Sequence, residues 1–166
     1  MSLILNKATF QNSLATLPLV TYQAGETVIA DGSRTGRLLI LSKGTVAIVK
    51  EGTEIAKVAE PGAVFGELSV LLDQPHAADV RALETSEFHV ADATTLLTQN
   101  PIAVLYVATM LAHRLNGANH ALIQLKHQVL TGEPPNVVAK TVSKMEELLL
   151  ANASLVYAGY PNDPYV

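Results

Sequence analysis

The residue types best suited to binding a ligand are concentrated in residues 61–82, where the chain reads PGAVFGELSVLLDQPHAADVRA. Residues 65–68 join a flexible glycine backbone to a carboxylate, and a short apolar segment and a proline-led return follow. Exposed N–H groups at the start of a short helix favour an anion, and a nearby carboxylate can accept hydrogen bonds from sugar hydroxyls. The stretch therefore indicates a loop that cradles a ligand, although an ordinary turn also explains a lone Gly-Glu pair.

Composition and charge restrict the function classes. The chain has 166 residues, of which 49% are hydrophobic and 16% charged, and its formal net charge is -4. These values indicate one folded domain with an appendage, and they argue against disorder and against a nucleic-acid-binding surface. The absence of cysteine excludes disulfides, thiolate metal sites and cysteine nucleophiles. Because no signal-peptide pattern or long apolar run is present, we expect a soluble, cytoplasmic protein without membrane contact.

A β pattern occupies residues 19–90, where short apolar or β-branched runs alternate with glycine- or proline-containing breaks. This pattern of short strands and breaks is typical of a small all-β roll or barrel, although a generic β-sandwich explains the turns equally well. The patterns predict four segments: an N-terminal helical segment at 1–18, a β-roll at 19–99, a long helix at 100–130, and a proline-containing linker, an amphipathic helix and a tail at 131–166.

Helical patterns flank the β region. Phe10, Leu14 and Leu17 have the spacing of a short amphipathic helix. After Ala91 the pattern is helical, with one break at 131–135 that no continuous helix tolerates. The shorter helix after this break has Asn136 as a possible N-cap. We expect it to bury one face through the stripe formed by Val138, Val142, Met145 and Leu149.

The long helix carries an apolar seam with the a/d spacing of a coiled coil. Its members are Leu111, Leu115, Ala118, Leu122, Leu125 and Val129. We expect this seam to face a second copy of the chain in a homodimer. The alternative is that the seam packs on the β-roll of its own chain. His113, His120 and His127 recur every seven residues away from the seam, too far apart along the helix for chelation within one chain, so we predict no metal site.

The stretch from Phe65 resembles the phosphate-binding cassette of cyclic-nucleotide-binding domains, whose usual pattern is F-G-E-L-A-L-L, three variable residues, then P-R-A-A-T-V. The similarity extends over roughly residues 19–130. Further along, Asn100-Pro101 and the residues 112–115 are similar to the start and the body of the dimerisation helix in the catabolite-activator branch. The resemblance implies a cyclic-nucleotide-binding-like double-stranded β-roll, or jelly roll, with eight strands, flanked by an N-terminal helix, the long dimerisation helix and one further helix.

The resemblance also implies a ligand, cyclic AMP or cyclic GMP, and a set of ligand-binding residues. These are Phe65, Gly66, Glu67, Leu68, Ser69, His76, Ala77, Ala78 and Asp79. Glu67 takes the ribose position, His76 stands where the family has its phosphate-binding arginine, and Asp79 replaces a threonine or serine. A mostly neutral histidine and a nearby carboxylate should weaken phosphate binding. Arg34, Arg37 and Arg81 are the other cations near the cassette in sequence.

From these observations we expect a non-catalytic regulatory or sensor module with no certain cofactor. Ser69 lacks the glycine-flanked elbow of a nucleophile, and no paired carboxylates have an informative spacing. After Leu130 the basic residues are only Lys140 and Lys144, too few for binding to DNA. The alternative is a degenerate, ligand-free dimeric scaffold that docks a protein partner. Ala118 and Asn119 occupy the positions where the resemblance would put polar contacts to the base, which leaves base recognition in question.

Overall fold

The computed structural model describes residues 7–150. The helices are α1 (Lys7–Ser13), α2 (Glu67–Leu71), α3 (Ala93–Gln99), α4 (Pro101–Thr131) and α5 (Pro135–Leu150). The strands are β1 (Leu19–Tyr22), β2 (Thr27–Ile29), β3 (Arg37–Lys43), β4 (Val46–Lys50), β5 (Thr53–Val58), β6 (Val64–Phe65), β7 (Asp79–Ala82) and β8 (Ser86–Asp92). The predicted order, with a β region between helices, is confirmed.

The strands form two four-stranded antiparallel sheets, in the orders β1-β8-β3-β6 and β2-β7-β4-β5. Apart from the β4–β5 hairpin, neighbours in each sheet are distant in sequence, so the chain winds back and forth between the two layers. This winding distinguishes a roll from a simple meander, and the eight-stranded β-roll with flanking helices is confirmed. At the turn before β4, Gly44 has φ of 101°, and a Cβ there would lie 2.3 Å from Ser86 Oγ, which requires glycine.

Two apolar clusters hold these layers together, and β3 contributes to both. Leu39 and Leu41 point into the roll, where they pack in a cluster with Phe88. Leu38 and Ile40 point to the other side, because side chains alternate along a strand, and they pack against the flanking helices. This second cluster includes Phe10 of α1 and Leu14, which directly follows α1, so the predicted N-terminal helix is confirmed. The helices are thus fixed to the back of the sheet that carries the cassette strand β6.

The long helix begins and ends at sequence signals. The Asn100 side chain accepts a hydrogen bond from the Ala103 N–H at 3.1 Å, which caps α4 just before Pro101. At its other end Gly132 has φ of 70°, the left-handed conformation that ends helices. No single helix in residues 7–150 is long and apolar enough to cross a membrane; only α3 and α4 together reach that length and composition, with a bend of 104°.

The predictions for α5 need correction in detail. This helix begins at Pro135, so Asn136 lies in its first turn and is not the N-cap. The face turned to the rest of the protein includes Thr141 and Leu148, which are 6% and 2% exposed. Val142 and Leu149 of the predicted stripe are 39% and 48% exposed. Val138 and Met145 of that stripe are half-buried, so the helix is rotated in part relative to the predicted stripe.

Candidate ligand-binding site

The cassette is a compact loop between β6 and β7 whose conformation depends on Gly66. This residue precedes α2 with φ of 94°, and a Cβ on it would lie 2.5 Å from the Arg37 carbonyl oxygen. The loop is closed behind α2 by Ser69, whose Oγ donates to the Gln74 carbonyl at 2.6 Å. Gln74 N–H donates in turn to the Ser69 carbonyl at 3.0 Å. The predicted short helix and its proline-led return are therefore held as one unit.

A cavity of about 130 Å³ opens between the cassette, the roll and α4. Its walls combine apolar strand residues, the cassette and one arginine of α4; they are Ile29, Ile48, Phe65, Gly66, Glu67, Leu68, Ser69, Leu72, Gln74, Pro75, His76, Ala77, Ala78, Val80 and Arg114. Every predicted ligand-binding position except Asp79 lines it. Small-molecule sites usually measure ~300–1,000 Å³, so a nucleotide-sized ligand requires a wider cavity than this.

The polar centre of the cavity is an ion pair between Glu67 and Arg114. Arg114 Nη1 donates to Glu67 Oε1 at 2.5 Å, and the two residues are 5% and 3% exposed. Burial raises the pKa of the Glu67 carboxyl, and the charge and hydrogen bond of Arg114 act in the opposite direction. The expected ribose-binding carboxylate therefore already has a cationic partner within its own chain.

Arg114 is a residue of this candidate site that sequence reasoning did not single out. It is the single Lys, Arg, Asp or Glu among residues 101–118, and a lone charge in such an apolar stretch of helix is the signal that could have found it. Besides Glu67, its guanidinium binds two carbonyls of α5: Nε donates to Leu148 O at 3.2 Å and Nη2 to Leu149 O at 2.7 Å. One side chain therefore joins the cassette, α4 and α5.

His76, at the family's arginine position, is 6% exposed and lies on the cavity wall. Its ring Nε2 is 3.1 Å from Thr35 Oγ1, and its backbone N–H donates to the Ser33 carbonyl at 2.9 Å. Burial lowers the pKa of the imidazole and so favours its neutral form. Thr35 lies 41 residues from His76 in a turn and carries no sequence signal that would have linked the two.

Asp79 lies outside the cavity wall. Its Oδ1 accepts a hydrogen bond from the Asp31 N–H at 2.7 Å, and its Oδ2 pairs with Arg81 at 2.7 Å. The bond from Asp31 and the pairing with Arg81 hold the pKa of this carboxyl below its usual range. Lys50 completes the network by pairing with Asp31 at 2.9 Å. The negative charge that we expected beside a bound phosphate is thus balanced by a cation on the outer face of β7.

The other cations considered from the sequence also lie outside the cavity wall. Arg34 pairs with Asp73 at 2.9 Å, and both side chains are largely exposed. Arg37 lies at the exposed start of β3, and Arg81 is engaged with Asp79. Of the arginines in residues 7–150, only Arg114 lines the cavity.

The predicted seam of α4 is divided between two environments. Leu115, Leu122 and Val129 are 61%, 53% and 63% exposed, whereas Ala118 is buried. Leu111 packs in part against the helical side of the core, and Leu125 is half-buried. Ile123 and Leu130 extend the exposed apolar face, at 68% and 75%. His113, His120 and His127 lie exposed on other faces, and residues 7–150 contain no group of three or more His, Cys, Asp or Glu that could hold a metal ion.

Comparison with known proteins agrees with this geometry. The sequence profile of the cyclic nucleotide-binding domain family matches residues 19–98. The catabolite activator protein of Thermus thermophilus is similar in structure, with a TM-score of 0.57 and 21% identity over 89% of this chain and 81% of that one. A cyclic nucleotide-binding domain from Methylobacillus flagellatus KT has a TM-score of 0.55 and 22% identity, covering 66% and 67%. At these identities the structural matches establish the shared fold.

A curated relative gives a closer sequence match over a shorter region. It is an uncharacterized ABC transporter ATP-binding protein of Mycobacterium tuberculosis, 32% identical over 99 residues. The match includes 57% of this chain and 29% of that protein. The chain therefore spans less than a third of the length of this relative.

Proposed function

Residues 19–98 belong to the cyclic nucleotide-binding domain family, and from this premise we propose that the chain is a non-catalytic regulatory module that binds cyclic AMP or cyclic GMP weakly. The observation that carries the proposal is the position of Glu67, buried at the start of α2 in a cavity that it shares with the other cassette positions. A carboxylate in this place can accept hydrogen bonds from ribose hydroxyls. The main departure from the family is His76.

The weakness of binding follows from His76 and from the cavity volume. A guanidinium supplies a permanent charge and a bidentate fork, whereas a buried neutral imidazole must first take up a proton to pair with a phosphate. A ligand must also widen a cavity of about 130 Å³. Both requirements lower the affinity without removing the hydroxyl-binding carboxylate.

A ligand-free dimeric scaffold is the second candidate, and the Glu67–Arg114 ion pair favours it. Both charges are buried and satisfied by each other at 2.5 Å, so the cavity is stable without an occupant. In this case the exposed apolar face of α4 is the functional surface.

A thermal-shift titration with cyclic AMP, cyclic GMP and linear 5′-AMP decides between the two candidates. Ligand at 100 times its dissociation constant stabilises a protein by ~2.7 kcal/mol, so we expect a rise in Tm with at least one cyclic nucleotide and a smaller one with the linear control. Glu67→Gln should abolish this rise. Glu54→Gln, at an exposed position on β5, should retain it. No rise with any nucleotide up to millimolar concentration would favour the scaffold.

We further propose that the chain forms a homodimer through the exposed face of α4. Leu115, Leu122 and Val129 are spaced by seven residues, which places them along one stripe about 10.5 Å apart. Glutamate at both Leu115 and Leu122 should give a monomer in light scattering, because the interface would bury unpaired charges. Leu83→Glu, also at an exposed leucine but in the loop after β7, should leave the dimer intact. A native protein that is monomeric at tens of micromolar would contradict this proposal.

A further inference from the structure

The turn between β2 and β3 meets the cassette at His76. Two backbone hydrogen bonds join them: the His76 N–H donates to the Ser33 carbonyl at 2.9 Å, and the Gly32 N–H donates to the His76 carbonyl at 2.8 Å. Thr35, two residues further along the same turn, lies beside the His76 ring. The turn therefore holds both the backbone and the side chain of the residue at the family's arginine position.

The ring of His76 has a defined orientation between the turn and the cassette. Its Nε2 is 3.1 Å from Thr35 Oγ1, and its Cε1 would lie 3.4 Å from a Cβ on Gly66. Within residues 7–150 the other nitrogen, Nδ1, has no hydrogen-bond partner, and it is not among the fully enclosed polar atoms. Because His76 lines the cavity, Nδ1 is the nitrogen that an occupant can contact.

The hydrogen bonds of the Thr35 hydroxyl indicate which nitrogen of the neutral ring carries the proton. A hydroxyl has one proton to donate and two lone pairs to accept. Thr35 Oγ1 accepts from the Arg37 backbone N–H at 3.3 Å, and His76 Nε2 is the only acceptor that the described residues offer to the hydroxyl proton. A hydrogen bond from the hydroxyl to Nε2 requires that Nε2 is unprotonated, which places the ring proton on Nδ1.

The charged groups on the elements around this ring are engaged elsewhere. They are the cavity pair Glu67–Arg114, the surface pairs Arg34–Asp73 and Asp79–Arg81, and Arg37 at the exposed start of β3. Burial is the cause that lowers the pKa of His76. Among the side chains of residues 7–150, Thr35 is therefore the one that hydrogen-bonds to the ring.

We propose that Thr35 is a positioning residue of the ligand site, which makes His76 Nδ1 a hydrogen-bond donor toward the cavity in both the neutral and the protonated ring. The inference rests on the proposed function in that it takes the occupant to carry a phosphate. In the neutral ring, Thr35 donates to Nε2, and Nδ1–H donates to a phosphate oxygen. When Nε2 takes up a proton from solvent, the hydroxyl rotates and accepts from Nε2–H through its second lone pair. The opposite tautomer would turn the Nδ1 lone pair toward the phosphate.

Nitrogen NMR of the free protein tests the tautomer. With ¹⁵N-labelled histidine at pH 8, we expect His76 to have a protonated Nδ1 and an unprotonated Nε2, because the Thr35 hydroxyl donates to Nε2. The His76 signals are assigned by their loss in His76→Gln. A protonated Nε2 in the native protein at this pH would overturn the proposal.

Variants of Thr35 test whether its hydroxyl sets this state. Thr35→Val removes the hydroxyl, and we expect a substantial fraction of His76 to change to the tautomer with its proton on Nε2. Thr35→Ser keeps a hydroxyl and should retain the native tautomer. Thr21→Val, at an exposed position on β1, is the matched control, and the signals of the other histidines report an intact fold. The native tautomer in Thr35→Val would contradict the role of the hydroxyl.

A second arm measures the binding of cyclic AMP at pH 8 by calorimetry. We expect Thr35→Val to bind about 3- to 10-fold more weakly than the native protein, because part of the population has lost its donor to the phosphate. Thr35→Ser and Thr21→Val should bind nearly as well as the native protein. Equal affinity of Thr35→Val and a native protein that binds would overturn the role of Thr35 in the site. If the native protein does not bind cyclic AMP, the proposed function fails for this ligand, and the nitrogen spectra alone decide whether Thr35 sets the tautomer.

Discussion

Replacing Arg114 with methionine should lower the free energy of unfolding by about 3–5 kcal/mol, one of the largest effects expected of any single substitution in the chain. The substitution leaves the Glu67 carboxylate 3% exposed and without its cation. It also removes the donors to the last carbonyls of α5. Chemical denaturation at neutral pH measures the loss.

The double variant Arg114→Met with Glu67→Gln separates the charge from the packing. Removing both charges should recover most of the lost free energy of unfolding, because a neutral pair in a buried site is far less costly than one unpaired ion. The penalty of Arg114→Met alone should also shrink as the pH falls, since burial raises the pKa of Glu67 and protonation removes the unpaired charge. Arg34→Met, which breaks an exposed pair with Asp73, should cost less than about 1 kcal/mol. If Arg114→Met also lowered the free energy of unfolding by less than about 1 kcal/mol, the buried pair would not have a central role in stability.

Most of the fold could be predicted from the sequence, because the residue patterns that begin and end its strands and helices are local. Glycine- and proline-containing breaks delimit the strands, and Asn100-Pro101 marks the start of α4 through capping chemistry that involves only neighbouring residues. The cassette motif likewise placed eight positions in one cavity, because they lie close together in sequence and in one loop. Periodicity could also have placed Asp79 correctly: along β7 the side chains alternate, with Val80 and Ala82 buried and Arg81 exposed, so Asp79 belongs to the outer face.

The remaining features depend on long-range geometry that one sequence does not contain. The Glu67–Arg114 pair joins residues 47 positions apart, and it forms only because the rotation of α4 about its axis places Arg114 at the cavity wall. The same rotation turns Ala118 inward and leaves Leu115 and Leu122 exposed, although all three satisfy one heptad pattern. Spacing defines which residues share a helix face, but tertiary packing decides how much of that face is covered.

The second large effect concerns the affinity for a cyclic nucleotide and its dependence on pH. In the free protein, burial lowers the pKa of His76, whereas a bound phosphate would raise it by stabilising the imidazolium. A group that takes up a proton on binding makes the complex stronger at lower pH, so we expect binding roughly 3- to 30-fold tighter at pH 6 than at pH 8. Calorimetric titration at both values measures this ratio. His127→Gln, at an exposed position on α4, should leave the ratio unchanged.

Replacing His76 with arginine should increase the affinity by about 1–3 kcal/mol and remove most of the pH dependence, because the guanidinium is charged throughout this range. Asp79→Thr should add little to that gain, since the Asp79 carboxylate is already paired with Arg81 on the outer face of β7. A large gain from Asp79→Thr would show that this carboxylate repels the ligand despite its pairing. Tight binding by the native protein without pH dependence would assign the phosphate to a different cation, and Arg114 is then the residue to replace, because it is the only arginine in residues 7–150 that lines the cavity.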